Sequence, residues 1–289
     1  MSNTILSILL IAAVCHAIWN ALGKKVEERE AFFTLILGAS VILYLPLAIF
    51  LLHTGDFAVK AYKWAIFSTI SETLYFFALG KVYQSITLSN AYPILRGTAP
   101  IVATVLSLIF FGINVTLMGI AGIIIIICGI LFINQQKLSI TGALGMFKGN
   151  FHHLKWVFMA GSLSALSSVL DGMGAAQMSG ILFKYFVFVG MFLGKLTIDR
   201  VTKLEVSYFP LVKKYPIPLI VGGLFVFISN ASAVYAMETT PVTYVAAVRE
   251  ISIVFAALIG LIWLKEKINF VKWASIFIIV AGVMVVKFS

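Results

Sequence analysis

Ten apolar runs of about 20 residues divide the chain: Thr4–Leu22, Ala31–Leu52, Trp64–Tyr83, Thr87–Phe111, Val115–Ile133, Trp156–Gly172, Gly180–Ile198, Ile217–Met237, Val242–Leu264 and Val271–Val286. Short polar or charged connectors separate them. The longest, Asn134–Lys155, lies between two halves of similar size. None of the runs alternates apolar and polar positions as a barrel strand would, and each is long enough to cross a bilayer as a helix. In hydrocarbon every backbone N–H and C=O needs an internal partner, which leaves helices or closed barrels as spanning structures. The expected fold is therefore all-α: a polytopic membrane protein of ten transmembrane helices. The first run lacks a basic leader and a small-residue cleavage site, so it reads as a retained first helix.

Composition supports this picture. Of 289 residues, 61% are hydrophobic and 11% charged, with a mean hydropathy of +1.07; soluble domains carry roughly 25% charged residues. The net charge of +10 does not point to nucleic acid, because the cations sit in loops between apolar runs. Fifteen of the 21 Lys and Arg fall after runs 1, 3, 5, 7 and 9, Lys195 and Arg200 among them, and three on the opposite side. By the positive-inside rule both termini face away from the cytoplasm. Cys15 and Cys128, in separate runs, read as small packing residues. Trp64, Trp156, Trp263 and Trp273 lie at run ends and read as an interfacial belt.

The two halves repeat. One constant register lays Thr87 on Thr240, Arg96 on Arg249, Ala103 on Ala256, Ala121 on Ala274 and Gly129 on Gly282. Matched intramembrane arginines are a far stronger signal than matched aliphatics. The expected domains are a first five-helix repeat over 1–134, a connecting loop over 135–155 and a second repeat over 156–289. An odd helix count turns the second copy upside down, and inverted repeats meeting around a midplane site are a transporter architecture.

Ionisable groups inside spans cost roughly 2.5–3.5 kcal/mol each on insertion scales. They are His16, Glu72, Arg96, Asp171, Lys184, Glu238, Arg249 and Glu250. Arg96 stands in Tyr92-Pro93-Ile94-Leu95-Arg96-Gly97-Thr98-Ala99-Pro100, where two prolines and a glycine predict a broken or bent helix; broken helices at membrane depth are tolerated where they line a cavity. Arg96 and Arg249 are candidates to bind an anionic group; pairing with Glu72, Glu238 or Glu250 is the structural alternative. His16, Trp19 and Asn20 share one face of the first span. Asn20 falls on Asp171 when Gly23 is laid on Gly174, suggesting a polar patch in each half. For His16 an interhelical hydrogen bond is the favoured role. Glu72 with Tyr75 is a candidate proton or substrate group at mid-span, while Glu238, near an end, has solvation as its alternative. Lys184, near the start of its span, is expected to snorkel to the interface. Trp19, Tyr75, Tyr92 and Tyr244 neighbour the charged residues and are candidate cavity aromatics.

The sequence holds no P-loop, no dinucleotide-binding glycine pattern and no Ser/His/Asp grouping, and His152-His153 lacks further ligands at zinc-like spacing. Neither a cofactor nor a metal is expected, and the chain does not read as an enzyme.

The segments His16-Ala17-Ile18-Trp19-Asn20-Ala21-Leu22, Ala91–Pro100, Leu170-Asp171-Gly172, Val245–Glu250 and Leu264-Lys265-Glu266-Lys267 resemble the EamA type of the drug/metabolite transporter superfamily, over essentially the full length. The resemblance implies two five-helix repeats around a cavity that opens alternately to each side. It also implies transport driven by substrate or ion gradients, commonly export of amino acids and related metabolites. On that footing the substrate-binding candidates are Trp19, Asn20, Glu72, Tyr75, Tyr92, Arg96, Asp171, Tyr244 and Arg249. The expected partners are the lipid bilayer, a small-molecule substrate, and a proton or counter-substrate. Two features depart from the pattern: many relatives keep both termini cytoplasmic, against the charge bias here, and the acidic residue after the fourth span is replaced in Gly112-Ile113-Asn114. A membrane enzyme or flippase subunit acting on lipid-linked groups is the second reading, and an interaction subunit without a cavity the third.

Overall fold

A computed structural model describes the backbone except at residues 25, 55–58, 86–87, 113–114, 134, 136, 138, 140, 143–150, 203–207 and 264–268; side chains are additionally not described at 24, 80, 83–93, 111, 151–153 and 263. Tyr92, Trp263, Glu266 and the His152–His153 pair thus fall outside the described side chains.

The described residues are helical, with no strand among them. In chain order the elements are α1 (Asn3–Lys24), α2 (Arg29–Thr54), α3 (Tyr62–Ser85), α4 (Leu88–Phe111), α5 (Leu117–Phe132), α6 (Phe151–Ala175), α7 (Gly180–Val201), the short α8 (Tyr208–Lys214), α9 (Pro216–Met237), α10 (Val242–Arg249), α11 (Ser252–Trp263) and α12 (Phe270–Phe288). Seven stretches are long and apolar enough to cross a membrane by length and composition, among them Val242–Ile262, which contains α10 and most of α11. Ile94–Phe110 and Leu117–Phe132 are shorter apolar helices. Large apolar side chains such as Ile42, Phe50, Ile109 and Phe277 are exposed along the outside, as a lipid-facing surface requires. The chain is an integral, multi-pass membrane protein.

The prolines of the fourth span do not break it. Despite Pro93 and Pro100, α4 runs unbroken from Leu88 to Phe111. Thr104 Oγ1 donates to the Pro100 carbonyl at 2.7 Å and Thr98 Oγ1 to the Ile94 carbonyl at 2.7 Å, the back-bonding by which hydroxyls satisfy backbone in apolar helices. The ninth span is the divided one. Between α10 and α11 the amides of Glu250, Ile251 and Ile253 donate to carbonyls three residues back, a tight 3₁₀-like turn formed without proline or glycine. The ninth run is consequently two helices, not one.

Packing follows an exchange rule. The densest seams are α5 with α12, α3 with α6, α1 with α9, α4 with α6, α2 with α9, α3 with α7, α2 with α7, and α1 with α11. Swapping the first five spans for the second five turns α3–α6 into α9–α1, α4–α6 into α11–α1 and α2–α9 into α7–α3, and leaves α5–α12 and α2–α7 unchanged. Small residues make two of these seams close. A Cβ added to Gly129 would lie 2.6 Å from Ile279 Cγ1, and one on Gly282 would lie 2.9 Å from the Gly122 carbonyl. On α7, a Cβ at Gly190 or Gly194 would meet Thr69 or Thr73 of α3 at 2.6–2.7 Å. That approach brings mid-α3 against mid-α7, where the ionisable residues sit.

Candidate functional site

Helices of both halves enclose a cavity of about 120 Å³. The end of α1 contributes His16, Trp19 and Asn20, and α3 contributes Glu72 and Tyr75. Arg96 enters from α4, and Arg249 and Glu250 from the end of α10. Ser164, Ser167 and Ser168 of α6 and Asn230 of α9 complete the polar wall, with Phe33, Phe76 and Phe188 among its apolar parts.

The two arginines are held differently. Arg96 Nη1 lies 3.4 Å from Glu250 Oε1, and its Nη2 lies 2.7 Å from His16 Nε2. A guanidinium can only donate, so Nε2 accepts and the His16 ring is the neutral Nδ1–H tautomer. Arg249 donates from Nη2 to Asn230 Oδ1 at 3.0 Å, and no ion pair to Arg249 occurs among the described residues. Asn230 in turn donates to the Val226 carbonyl at 2.8 Å, which fixes its amide. Two polar atoms of this wall are buried without a partner, Trp19 Nε1 and Glu250 Oε2. Buried donors and acceptors in native structures are nearly always matched, which sets these two atoms apart from the rest of the wall.

Behind the α3 wall lies an ion triad. Lys184, only 1% exposed, sits between the carboxylates of Glu72 and Asp171, with Nζ 2.7 Å from Asp171 Oδ2. Ser68 donates to Asp171 Oδ1 at 2.6 Å. This corrects the snorkelling expectation: the lysine points inward because two carboxylates from α3 and α6 wait there, and a buried ammonium needs such partners. Asp171 is not on the cavity wall; it is spent on Lys184 and Ser68. Tyr244 is not on it either. Its hydroxyl lies 3.2 Å from both the amide and Oγ1 of Thr116, and its ring packs on Gly119, between the second repeat and the start of α5. Five residues separate it from Arg249, which turns it about 140° away on a helix.

A second cluster lies nearer the end of α7. Lys195, 2% exposed, pairs with Asp199 and with Glu30 Oε2 at 3.0 Å. Thr34 and Tyr208 donate to Asp199 Oδ2 at 2.5 and 2.8 Å. Burial and the Asp199 carboxylate push the Tyr208 phenol up to about 12, which keeps it a donor. Lys195 is therefore a packed helix residue rather than a loop cation. Glu238 is exposed, yet its Oε1 accepts from the Gly180 amide at 2.7 Å and so caps α7.

Of the predicted residues, Trp19, Asn20, Glu72, Tyr75, Arg96 and Arg249 meet on one wall; Asp171 and Tyr244 stand off it. Sequence reasoning passed over Asn230 and the α6 serines. Asn230 carried a readable signal, as the one Asn in an otherwise apolar run.

A multi-pass helical membrane protein whose two halves share one charged central cavity has the plan of a two-repeat membrane carrier. The sequence profile of the EamA-like transporter family matches residues 3–135 and 153–288, and the chain belongs to that family. No curated protein matches it in sequence. Among solved structures, one crystal structure of a protein, 11% identical, superposes with a TM-score of 0.73 over 100% of this chain and 98% of its own. At that identity the likeness speaks for the fold alone.

Proposed function

We propose that this protein is a secondary active transporter that exports small polar metabolites, such as amino acids or organic anions, by alternating access. Two five-helix repeats, 1–134 and 156–289, joined by 135–155, would lie inverted in the cell's plasma membrane. The observation that carries the reading is the convergence of Arg96 and Arg249, from matching places in the two repeats, on one cavity. The exchange pattern of the helix seams supports it too. Both guanidiniums offer N–H groups to the anionic part of a solute, while Trp19, Asn20 and Tyr75 shape the wall. A volume of about 120 Å³ is below the roughly 300–1,000 Å³ of drug-sized pockets, which favours a small cargo. With Lys195 buried, the remaining loop cations still favour non-cytoplasmic termini.

Counterflow in liposomes tests this. Purified protein is expected to exchange at least one labelled solute from a panel of amino acids, organic anions and phosphorylated metabolites. Arg96→Gln is expected to abolish that exchange while still inserting. If no solute of the panel moves, the reading fails.

A further inference from the structure

Six ionisable side chains meet at the cavity and directly behind it, and their ion pairing is counted with all six charged. Arg96, Arg249 and Lys184 face Glu72, Asp171 and Glu250. His16 adds no charge, since its Nε2 accepts from Arg96. The set sums to zero, but the pairing within it is uneven. Arg96 and Glu250 form one neutral pair. Lys184 is shared by two carboxylates, leaving an excess of one negative charge. Arg249 is held by the neutral Asn230, leaving an excess of one positive charge. These two excesses balance each other across the cavity without touching.

An anion that settles on Arg249 breaks this balance. The triad's negative charge would then be uncompensated in a low-dielectric interior, where net charge is costly. One proton restores neutrality. Glu72 is the group placed to take it. It alone of the triad's two acids lines the cavity, and its side chain keeps 13% exposure. Asp171 is off the wall and holds both Ser68 and Lys184. Glu250 pairs with Arg96 through Oε1 and is the more deeply buried of the two cavity acids, with 5% side-chain exposure against 13% for Glu72. The charges that act on Glu72 are Lys184 from α7, Asp171 from α6 and Arg249 from α10; the neutral His16 of α1 and the Arg96–Glu250 pair share the cavity lining with it. With Glu72 protonated by the proton that enters with the cargo, Lys184 and Asp171 remain as a one-to-one pair.

We propose that the site loads electroneutrally: each monoanionic cargo molecule bound at Arg249 is accompanied by one proton on Glu72, and a zwitterion loads without one. This rests on the transporter reading above and adds the coupling ion and its stoichiometry.

The test uses full-length protein in liposomes holding a pH dye, with labelled pyruvate as monoanion and labelled serine as zwitterion, each corrected for protein-free liposomes. Pyruvate entry is expected to carry one proton per molecule and to ignore an imposed membrane potential; serine entry is expected to carry none. Glu72→Gln is expected to lose proton movement, to make pyruvate entry depend on potential and to slow it at least tenfold, with Glu72→Asp restoring coupling. Pyruvate moving without a proton, or Glu72→Gln retaining one proton per molecule, overturns the proposal even as transport itself stands. Infrared difference spectra decide the matter if neither solute moves. At pH 7 without cargo, wild type minus Glu72→Gln is expected to lack a protonated-carboxyl band; such a band overturns the balanced empty site. Movement of no solute of the wider panel is the separate failure of the transporter reading.

Discussion

Replacing Lys184 by Met removes a charge while keeping a stem of similar length in a fully buried place. Nζ bridges Glu72 and Asp171, so the variant leaves two carboxylates facing one another. At a separation of about 5 Å and an effective dielectric of 20, their repulsion is roughly 3 kcal/mol. Breaking a buried pair by deleting one partner costs about 3–5 kcal/mol in measured cases, and the two figures agree. For a chain of this size about 2–4 °C of Tm accompanies each kcal/mol, so Lys184→Met is expected to melt about 10 °C below wild type. Thermal unfolding of the detergent-solubilised protein, followed by intrinsic fluorescence, measures this. The triple variant Lys184→Met, Glu72→Gln, Asp171→Asn removes all three charges and is expected to regain most of the loss, because the damage lies in the orphaned acids. A single variant melting within about 2 °C of wild type, or a triple variant no better than the single, would refute the reasoning.

Three further outcomes are expected. Gly129→Leu inserts a side chain where even a Cβ meets Ile279 at 2.6 Å; overpacking the α5–α12 seam is expected to cost about 1–3 kcal/mol, read from the same melts. Glu238→Gln weakens the cap on the Gly180 amide and is expected to cost about 0.3–1 kcal/mol while leaving tracer exchange unchanged. Trp19→Phe deletes an N–H that has no partner, so stability is expected to hold within about 0.5 kcal/mol while the KM for the transported solute rises; a destabilised variant with unchanged KM would assign Trp19 to packing instead.

Much of this arrangement is legible in the sequence because lipid is an exacting solvent. It forces long apolar runs, so the spans stand out, and it makes charged residues rare, so Arg96, Arg249 and Glu72 stand out too. The fate of a given charge is a different matter. Lys184 sits four residues into its run, and position along the helix favours snorkelling; its partners come from α3 and α6, and no local pattern announces them. One periodic clue was present. Lys195 lies eleven residues after Lys184, three turns on and within about 20° of the same face, so α7 carries two lysines in line and both prove to be buried ion-pair centres. The division of the ninth span is equally silent in the sequence. Proline marks a lost hydrogen bond, yet α4 stays helical through Pro93 and Pro100, whereas the tight turn at Glu250 holds no proline or glycine to announce it.

The repeats match in their arginines but not in what clamps their seams. The α3–α7 seam carries Glu72 and Lys184, with Asp171 behind. Its exchange partner, the α9–α2 seam, is held by neutral contacts: Ser40 Oγ donates to the Gly223 carbonyl at 2.7 Å, Tyr44 to the Leu224 carbonyl at 3.0 Å, and Tyr44 stacks on Phe227 at 4.1 Å. A proton on Glu72 weakens an ionic contact in the first seam and touches nothing in the second. Two exchange-related seams thus answer differently to the same event. That asymmetry is what a carrier built from two similar halves needs if loading is to favour one of its two exchange-related states, because identical seams would respond alike and leave the balance between the states unmoved.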